Sequence, residues 1–257
     1  MLSKLSLLLE KRPHKQWQIE DFSGIDQLHL GGIPATLALL DWLPNGAKSG
    51  LDIGCGLGGT SRLLSNERGC NMVGLDLNHQ YIRAAMLLNQ SIQPEPQCQF
   101  VTGNSLHLPF PEHSFNFVIS QHSTMNIKQK EVLLKGLYSV LKPRGHLLIH
   151  EIMLQPHAGE NDILYPTPWA HEKGESHLCH WQLFNDLALA IGFKVDHFKD
   201  DTDAALTWIR QTRQQKAPPP FTPTLALGAN AAVMSANVLG NIEAGYLQVI
   251  SANLCKL

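Results

Sequence analysis

The chain has 257 residues, 44% of them apolar and 16% charged, with a net charge of −2. That length suits one large domain or one domain with an elaboration, and the charge balance offers no electrostatic footprint for nucleic acid. Five cysteines, an odd number with no C-x-x-C pair, argue against a disulfide framework or a zinc knuckle and make a reducing cytoplasm the expected setting.

Leu2, Leu5, Leu8 and Leu9, interrupted by Lys4 and followed by Glu10-Lys11-Arg12, predict a short amphipathic helix. It reads as a packed or lid helix and is too short to span a bilayer. Pro34 to Trp42 reads as a helix leading into a first strand, Ser49 to Ile53. Thr60 to Glu67 reads as a helix and Met72 to Asp76 as the second strand. Asn78 caps a helix from His79 to Gln90, which Gln93-Pro94-Glu95-Pro96 stops. Strands over Gln99–Thr102 and Ser114–Ser120, a helix over Ile127–Leu141 and a fifth strand over His146–Glu151 follow. Such alternation predicts an α/β fold: a doubly wound, mostly parallel sheet with helices on both faces. Residues 154–180 are rich in Pro, His and Gly and predict no element. Then come a helix over Trp181–Ile191 closed by Gly192, a strand over Phe193–Phe198 and a helix over Asp203–Gln214. After a break at Pro218-Pro219-Pro220, one long Ala-rich helix spans Thr224–Glu243, and Tyr246–Ser251 forms a final strand.

The first strand carries Asp52 and breaks into a turn holding Gly54, Gly56, Gly58 and Gly59. Gly54, Gly56 and Gly59 fit the G-x-G-x-x-G fingerprint that seats a pyrophosphate on a helix N-terminus. Gly54, Gly56 and Gly58, with Asp52 two residues ahead, equally fit D-x-G-x-G-x-G. Charge separates the two, because a carboxylate beside the turn repels a pyrophosphate and suits a cationic cofactor. Asp76, closing the second strand, lies where ribose hydroxyls need an acceptor. A ligand-free connection would need one or two glycines, not four.

Four segments in order resemble the class I S-adenosylmethionine-dependent methyltransferases of small molecules. They are Leu51–Thr60, Gly74–Asn78, Gly103–Phe110 with Ser114–Ser120 behind it, and Val140–Ile149, which is similar to the family's "LKPGG" turn. The resemblance runs from about Asp26 to the end of the sequence. It implies a Rossmann-like methyltransferase fold with a seven-stranded sheet whose last strand is antiparallel beside the fifth. Phe193–Phe198 and Tyr246–Ser251 would be the closing pair, with a helical C-terminal insertion between them. It also implies a single methyltransferase domain over 1–257, with N-terminal lid helices in 1–47, a cofactor-binding core in 48–152, and a substrate cover and closing strands in 153–257.

The resemblance assigns S-adenosylmethionine to the turn. Asp52, Gly54, Gly56 and Gly58 lie along the donor, Asp76 and Leu77 by the ribose, and Asn104 and Ser105 by the adenine. Asn104 stands where similar enzymes usually have Asp and can still accept a hydrogen bond through its carbonyl oxygen. Ser120 and Gln121 lie where cofactor and substrate meet. Gln27–Gly32, Ser120–Ile127 and Pro166–Trp169 look like enzymes near the sarcosine/dimethylglycine and quinone/tocopherol methyltransferases. The expected acceptor is thus a small molecule, with amine, phenol, thiol and ring carbon all open. No nucleic-acid partner and no membrane span are expected, and the oligomeric state is unreadable.

Methyl transfer needs alignment and exclusion of water, and a base only if the acceptor must lose a proton early. His122 is the candidate to orient or deprotonate an acceptor, Glu151 to attract a cationic amine, and His29 to act from the lid. Tyr165 and Trp169 would wall the pocket. His171, His177, Cys179 and His180 match no recognised ligand spacing, so no metal is expected. Two other readings are a non-catalytic S-adenosylmethionine-binding protein and a nicotinamide-dependent oxidoreductase.

Overall fold

The computed structural model describes residues 1–11, 16–214 and 221–257. The expected positions of Arg12 and of Pro218-Pro219-Pro220 lie outside the described residues. The N-terminal elements are α1 (Leu2–Glu10), a 3-10 turn over Ile19–Phe22, α2 (Ser23–Asp26) and α3 (Gly32–Leu40). The core alternates β1 (Ser49–Ile53), α4 (Gly59–Arg68), β2 (Asn71–Asp76), α5 (His79–Ser91), β3 (Cys98–Thr102), β4 (Phe115–Gln121), α6 (Lys130–Val140) and β5 (Leu141–Leu154). The remainder holds α7 (Trp181–Ile191), β6 (Phe193–Asp200), α8 (Thr202–Gln214), α9 (Thr224–Leu227), α10 (Ala231–Glu243) and β7 (Leu247–Lys256).

Seven strands form one sheet in the order β3-β2-β1-β4-β5-β7-β6. β1 pairs in parallel with β2 and β4, and β4 with β5, whereas β7 runs antiparallel to both β5 and β6. The expected α/β sheet with an antiparallel closing strand is therefore what the chain forms.

Strand periodicity explains why both faces are covered. Val118, Leu147 and Ile149 face one cluster with Leu133, Leu134 and Leu137 of α6 and Phe184 and Ala188 of α7. The alternate residues Phe117, Ile119 and Leu148 face a second cluster with Leu39 and Leu40 of α3 and Leu64 of α4. Side chains two apart share a face, so strands buried on both sides read as continuous apolar runs. α1 buries Leu5 in a third cluster with Trp17, Phe22, Ala84, Leu88 and Phe221. Its amphipathic pattern is thus satisfied by packing on the protein.

The predicted single helix over Thr224–Glu243 is in fact two, α9 and α10. Gly228 adopts φ +77 and breaks the helical path between them. The closing strands run longer than expected, because β5, β6 and β7 pair through Leu154, Asp200 and Lys256. Among residues 154–180 the chain makes 3-10 turns at Glu160–Asp162 and Lys173–Glu175 and otherwise only isolated bridges.

Candidate active site

β1 and β2 end side by side, and the turn after β1 is pinned to the end of β2. The Gly54 and Cys55 N–H groups both donate to the Leu75 carbonyl, at 2.7 and 3.1 Å. The Gly56 N–H donates to Asp76 Oδ2 at 2.9 Å, and the Asn78 N–H donates to Asp76 Oδ1 at 2.8 Å. Asp76 therefore fixes both the glycine turn and the start of α5. Gly54 and Gly58 have φ of +66 and +78. A Cβ at Gly54 would meet Ser123 Cβ at 2.5 Å, and one at Gly58 would meet the Phe100 ring at 2.4 Å. Neither position has room for a side chain, whatever its backbone strain.

Beside this turn opens a cavity of about 330 Å³, lined by Gly54, Asp76, Leu77, Asn104, Ser105 and Ser123 among others. Leu77 is 73% exposed there and offers an apolar face. Asn104 Oδ1 already accepts the Leu106 N–H at 2.9 Å and keeps one lone pair. A larger hollow of about 430 Å³ between α6 and α7, lined by Glu131, Lys135 and Tyr138, lies away from the turn. Its charged groups are an exposed i,i+4 pair, so it gathers no chemistry.

The N-terminal segment covers the turn from the other side. A Cβ at Gly59 would meet the Asp26 carbonyl oxygen at 2.4 Å and Gln27 Nε2 at 2.7 Å. Gln27 is buried, and neither atom of its amide has a protein partner. Arg62 of α4, fully buried, donates from Nη2 to Asp26 Oδ2 at 2.7 Å and to the Leu57 carbonyl at 2.6 Å. Gln121 bridges the two sides, accepting from Thr60 Oγ1 at 2.8 Å and from Thr36 Oγ1 at 3.2 Å.

His29, His122 and His150 converge beneath this cover. The His122 and His150 rings stack at 5.2 Å and 5°, and His29 lies edge-on to both, at 6.2 and 5.9 Å. His150 donates from Nε2 to the Leu30 carbonyl at 2.8 Å, and its Nδ1 lies 2.8 Å from Ser251 Oγ. His29 donates from Nε2 to the Gly32 carbonyl at 3.0 Å. His122 has a left-handed backbone, φ +48, and its buried Nε2 has no protein partner. Burial, then the neighbouring His150, pushes His29 down to about 3. Burial followed by His150 and His29 lowers His122 as well. Three neutral imidazoles at neutral pH result, one with a nitrogen free to meet a ligand.

Residues 51–149, which contain the turn, β2, the cavity wall and β4, match the family described as a methyltransferase domain. That stretch is similar to a methyltransferase domain. A 2-methyl-6-phytyl-1,4-hydroquinone methyltransferase of Synechocystis sp. is 36% identical over 110 residues, 43% of this chain and 33% of that protein. The 24-methylenesterol C-methyltransferase 2 of Arabidopsis thaliana is 29% identical over 154 residues, 58% of this chain and 42% of that protein. The chain thus spans less than half the length of these curated relatives. Phosphoethanolamine N-methyltransferase 2 of Haemonchus contortus, solved with S-adenosyl-L-methionine, superposes with a TM-score of 0.74. The two share 20% identity, over 97% of this chain and 60% of that one, which is a likeness of fold.

Within residues 51–149 the expected residues fall into two groups. Gly54, Asp76, Leu77, Asn104 and Ser105 line the cavity, and Gly56 and Gly58 shape the turn above it. Asp52 lies below the turn, 3% exposed, with Ser61 Oγ donating to its Oδ2 at 2.7 Å. Burial pushes Asp52 up to about 7, opposed by the Ser61 hydrogen bond and aided by the nearby Asp76 charge. Ser120 is fully buried and donates to Glu151 Oε1 at 2.5 Å.

Glu151 needs correction. It was expected to meet a cationic amine, yet it is 0% exposed and its carboxylate is already occupied. Besides Ser120, it accepts the Ser123 N–H at 3.1 Å and the Thr124 N–H at 3.2 Å. As the strand neighbour of His150 it points to the opposite face, and there it holds the loop that follows β4. Burial raises it. Sequence reasoning missed Gln27, the Asp26–Arg62 pair and Ser251. Arg62 within the run Ser61–Leu64 was the available signal, a charge where α4 otherwise shows an inward face.

No described helix is long and apolar enough to cross a membrane.

Proposed function

We propose that this chain transfers a methyl group from S-adenosylmethionine to a small-molecule acceptor by in-line displacement. The observation that carries the reading is the pairing of the side-chain-free turn at Gly54–Gly58 with Asp76 at the wall of the same cavity. The fit to the donor is specific. Asp76 leaves the turn acidic, a bound cation would draw Asp52 into its carboxylate form, and Arg62 is already neutralised by Asp26. A dinucleotide pyrophosphate would meet net repulsion here, and a cationic donor attraction. The unpartnered amide of Gln27 supplies a donor and an acceptor for the amino-acid end of such a ligand. Asp76 takes the ribose hydroxyls, Leu77 covers one face of the adenine, and Asn104 and Ser105 border its edge.

S-adenosylmethionine, when bound, supplies an electrophilic methyl on a sulfonium whose departure leaves a neutral thioether. The protein's part is placement and dryness. Gln121 and the lid residues Asp26 and Gln27 exclude water, and His122 Nε2 accepts the acceptor's proton. Leu30, Met125, Ile163, Tyr165, Trp169 and Trp208 belong to the apolar cluster next to the imidazoles. That surround favours an apolar acceptor with a single polar group, a phenol or an activated ring carbon. The Synechocystis relative is named for a hydroquinone, which agrees with that choice. Five free cysteines fit a reducing compartment, and we place the protein in the cytoplasm.

Turnover of hydroquinone and phenol acceptors with methyl-labelled S-adenosylmethionine tests the reading. A chain that binds the donor yet labels no acceptor would instead be a binding protein. Replacing His122 by alanine should lower kcat about 10²-fold or more, the usual range for a general base, while the donor Kd stays within a factor of two to three. Unchanged kcat would remove His122 from the proton's path.

Asp52 predicts a pH effect. Its ordinary value is 3.8 and its folded value about 7. Its contribution to stability is therefore whole below about pH 4 and is lost as pH rises to about 7. A bound cation favours the carboxylate, so donor binding releases a proton near neutrality and tightens as pH rises through about 7. Calorimetry in buffers of different ionisation enthalpy reads the released proton directly. Asp52→Asn should abolish it.

A further inference from the structure

The expectation of no metal came from the segment 171–180, where His180 Nε2 is bonded to the Ala158 carbonyl at 3.0 Å. The metal-type donors that do converge come from three neighbouring strands far apart in sequence. His146 of β5 and Cys255 of β7 are direct cross-strand partners, so their side chains share a face. On the other side of β7, the register of β6 shifts between Val195 and His197, which leaves Asp196 as the bulged residue. One ring nitrogen of His146, one carboxylate oxygen of Asp196 and Cys255 Sγ lie within 4.8 Å of one another.

The hydrogen bonds around His146 fix its proton. Asn253 donates from Nδ2 to the Trp42 carbonyl at 3.2 Å, which sets the orientation of its amide. Asn253 Oδ1 is then the atom 3.1 Å from His146 Nδ1, and an amide oxygen only accepts. His146 therefore carries its proton on Nδ1 and presents a lone pair at Nε2. A metal-ligating histidine needs this arrangement: one nitrogen held by a carbonyl-type acceptor, the other free.

We propose that His146, Asp196 and Cys255 form a binding site for a divalent d-block cation, with zinc as the best match. Nitrogen, thiolate and carboxylate together suit zinc or cobalt and not magnesium or calcium, which take oxygen. Tetrahedral zinc holds its donors roughly 3.3–3.8 Å apart, given bonds of about 2.0–2.3 Å. Small rotations of the exposed Asp196 and the half-buried His146 and Cys255 side chains close the set from its present spacing. Three protein donors leave a fourth position for water. Lys194 lies 3.4 Å from Asp196, an exposed pair whose loss costs little. Zinc binding displaces the Cys255 thiol proton to solvent and joins β5, β6 and β7. His146 stands four residues before His150, about 13 Å along the strand, so the site lies apart from the glycine turn.

Titrating the full chain with cobalt(II), a spectroscopic stand-in for zinc, tests this independently of methyl transfer. One equivalent should bind with a thiolate-to-cobalt charge-transfer band, which zinc then displaces. Cys255→Ser should lose the band and Cys98→Ser should keep it. Asp196→Asn, a surface change that leaves folding intact, should weaken zinc binding about tenfold or more and reduce the zinc-induced rise in Tm. Absence of the band at millimolar cobalt, its survival in Cys255→Ser, or equal zinc affinity in Asp196→Asn would overturn the proposal.

Discussion

Replacing Asp76 by alanine should weaken S-adenosylmethionine binding on the order of 100-fold. Each Asp76 oxygen already accepts one backbone N–H, from Gly56 at 2.9 Å and from Asn78 at 2.8 Å. Each retains a further lone pair, and the residue lines the cavity. Two charge-assisted bonds to a ribose diol at about 1.5 kcal/mol each give about 3 kcal/mol, or two decades in Kd. Asp76→Asn keeps one acceptor oxygen and should fall between, about tenfold weaker. Calorimetry measures Kd, and thermal unfolding of the same variants separates the lost ligand contact from a loosened turn. An alanine variant that binds as tightly as the parent would remove the ribose assignment.

Asp26→Ala should destabilise the fold by about 3–5 kcal/mol, the usual cost of leaving one member of a buried ion pair alone. Arg62 is 0% exposed and ties three parts of the chain together. It reaches Asp26 in the lid at 2.7 Å, the Leu57 carbonyl at the turn at 2.6 Å and the Ala85 carbonyl in α5 at 3.2 Å. Losing the carboxylate leaves a cation in the interior with two carbonyls and no directly paired counter-charge. Exchanging the whole pair, Asp26→Leu with Arg62→Met, should recover most of the loss, because apolar isosteres avoid the desolvation of both ions. Urea unfolding of the two single variants and the double variant yields the coupling. A double variant no more stable than Asp26→Ala would show that packing, not charge, governs this site.

The core of the fold was legible because its signals are local. Alternating strands and helices from Ser49 to Glu151, most of them bounded by a glycine, a proline or the Asn78 cap, specify a parallel sheet without knowledge of long-range contacts. Gly54, Asp76 and Asn104 were legible for the same reason, since each sits at the end of a recognisable strand. The lid was harder to read. Trp17 and Phe22 meet the tilted ring of Phe221 across some 200 positions of sequence, and no periodicity records that. Glu151 was misassigned because strand position alone does not tell which face a carboxylate takes or whether backbone N–H groups already fill it. Thr224–Glu243 looked continuous because alanine-rich sequence propagates a helix, and only the left-handed Gly228 interrupts it.

Asp26 and Gln27 rest directly on Gly59, and Thr36 shares Gln121 with Thr60. On the proposed reading, residues 26–36 would form one wall of the chamber that holds the donor. If the proposed donor seats beneath that wall, it must enter before the wall closes and leave after it opens, so the expected sequence is compulsory: nucleoside in first, spent nucleoside out last. Product-inhibition kinetics would then show S-adenosylhomocysteine competing with the donor alone, and the residence time of the spent molecule would set the pace of the cycle.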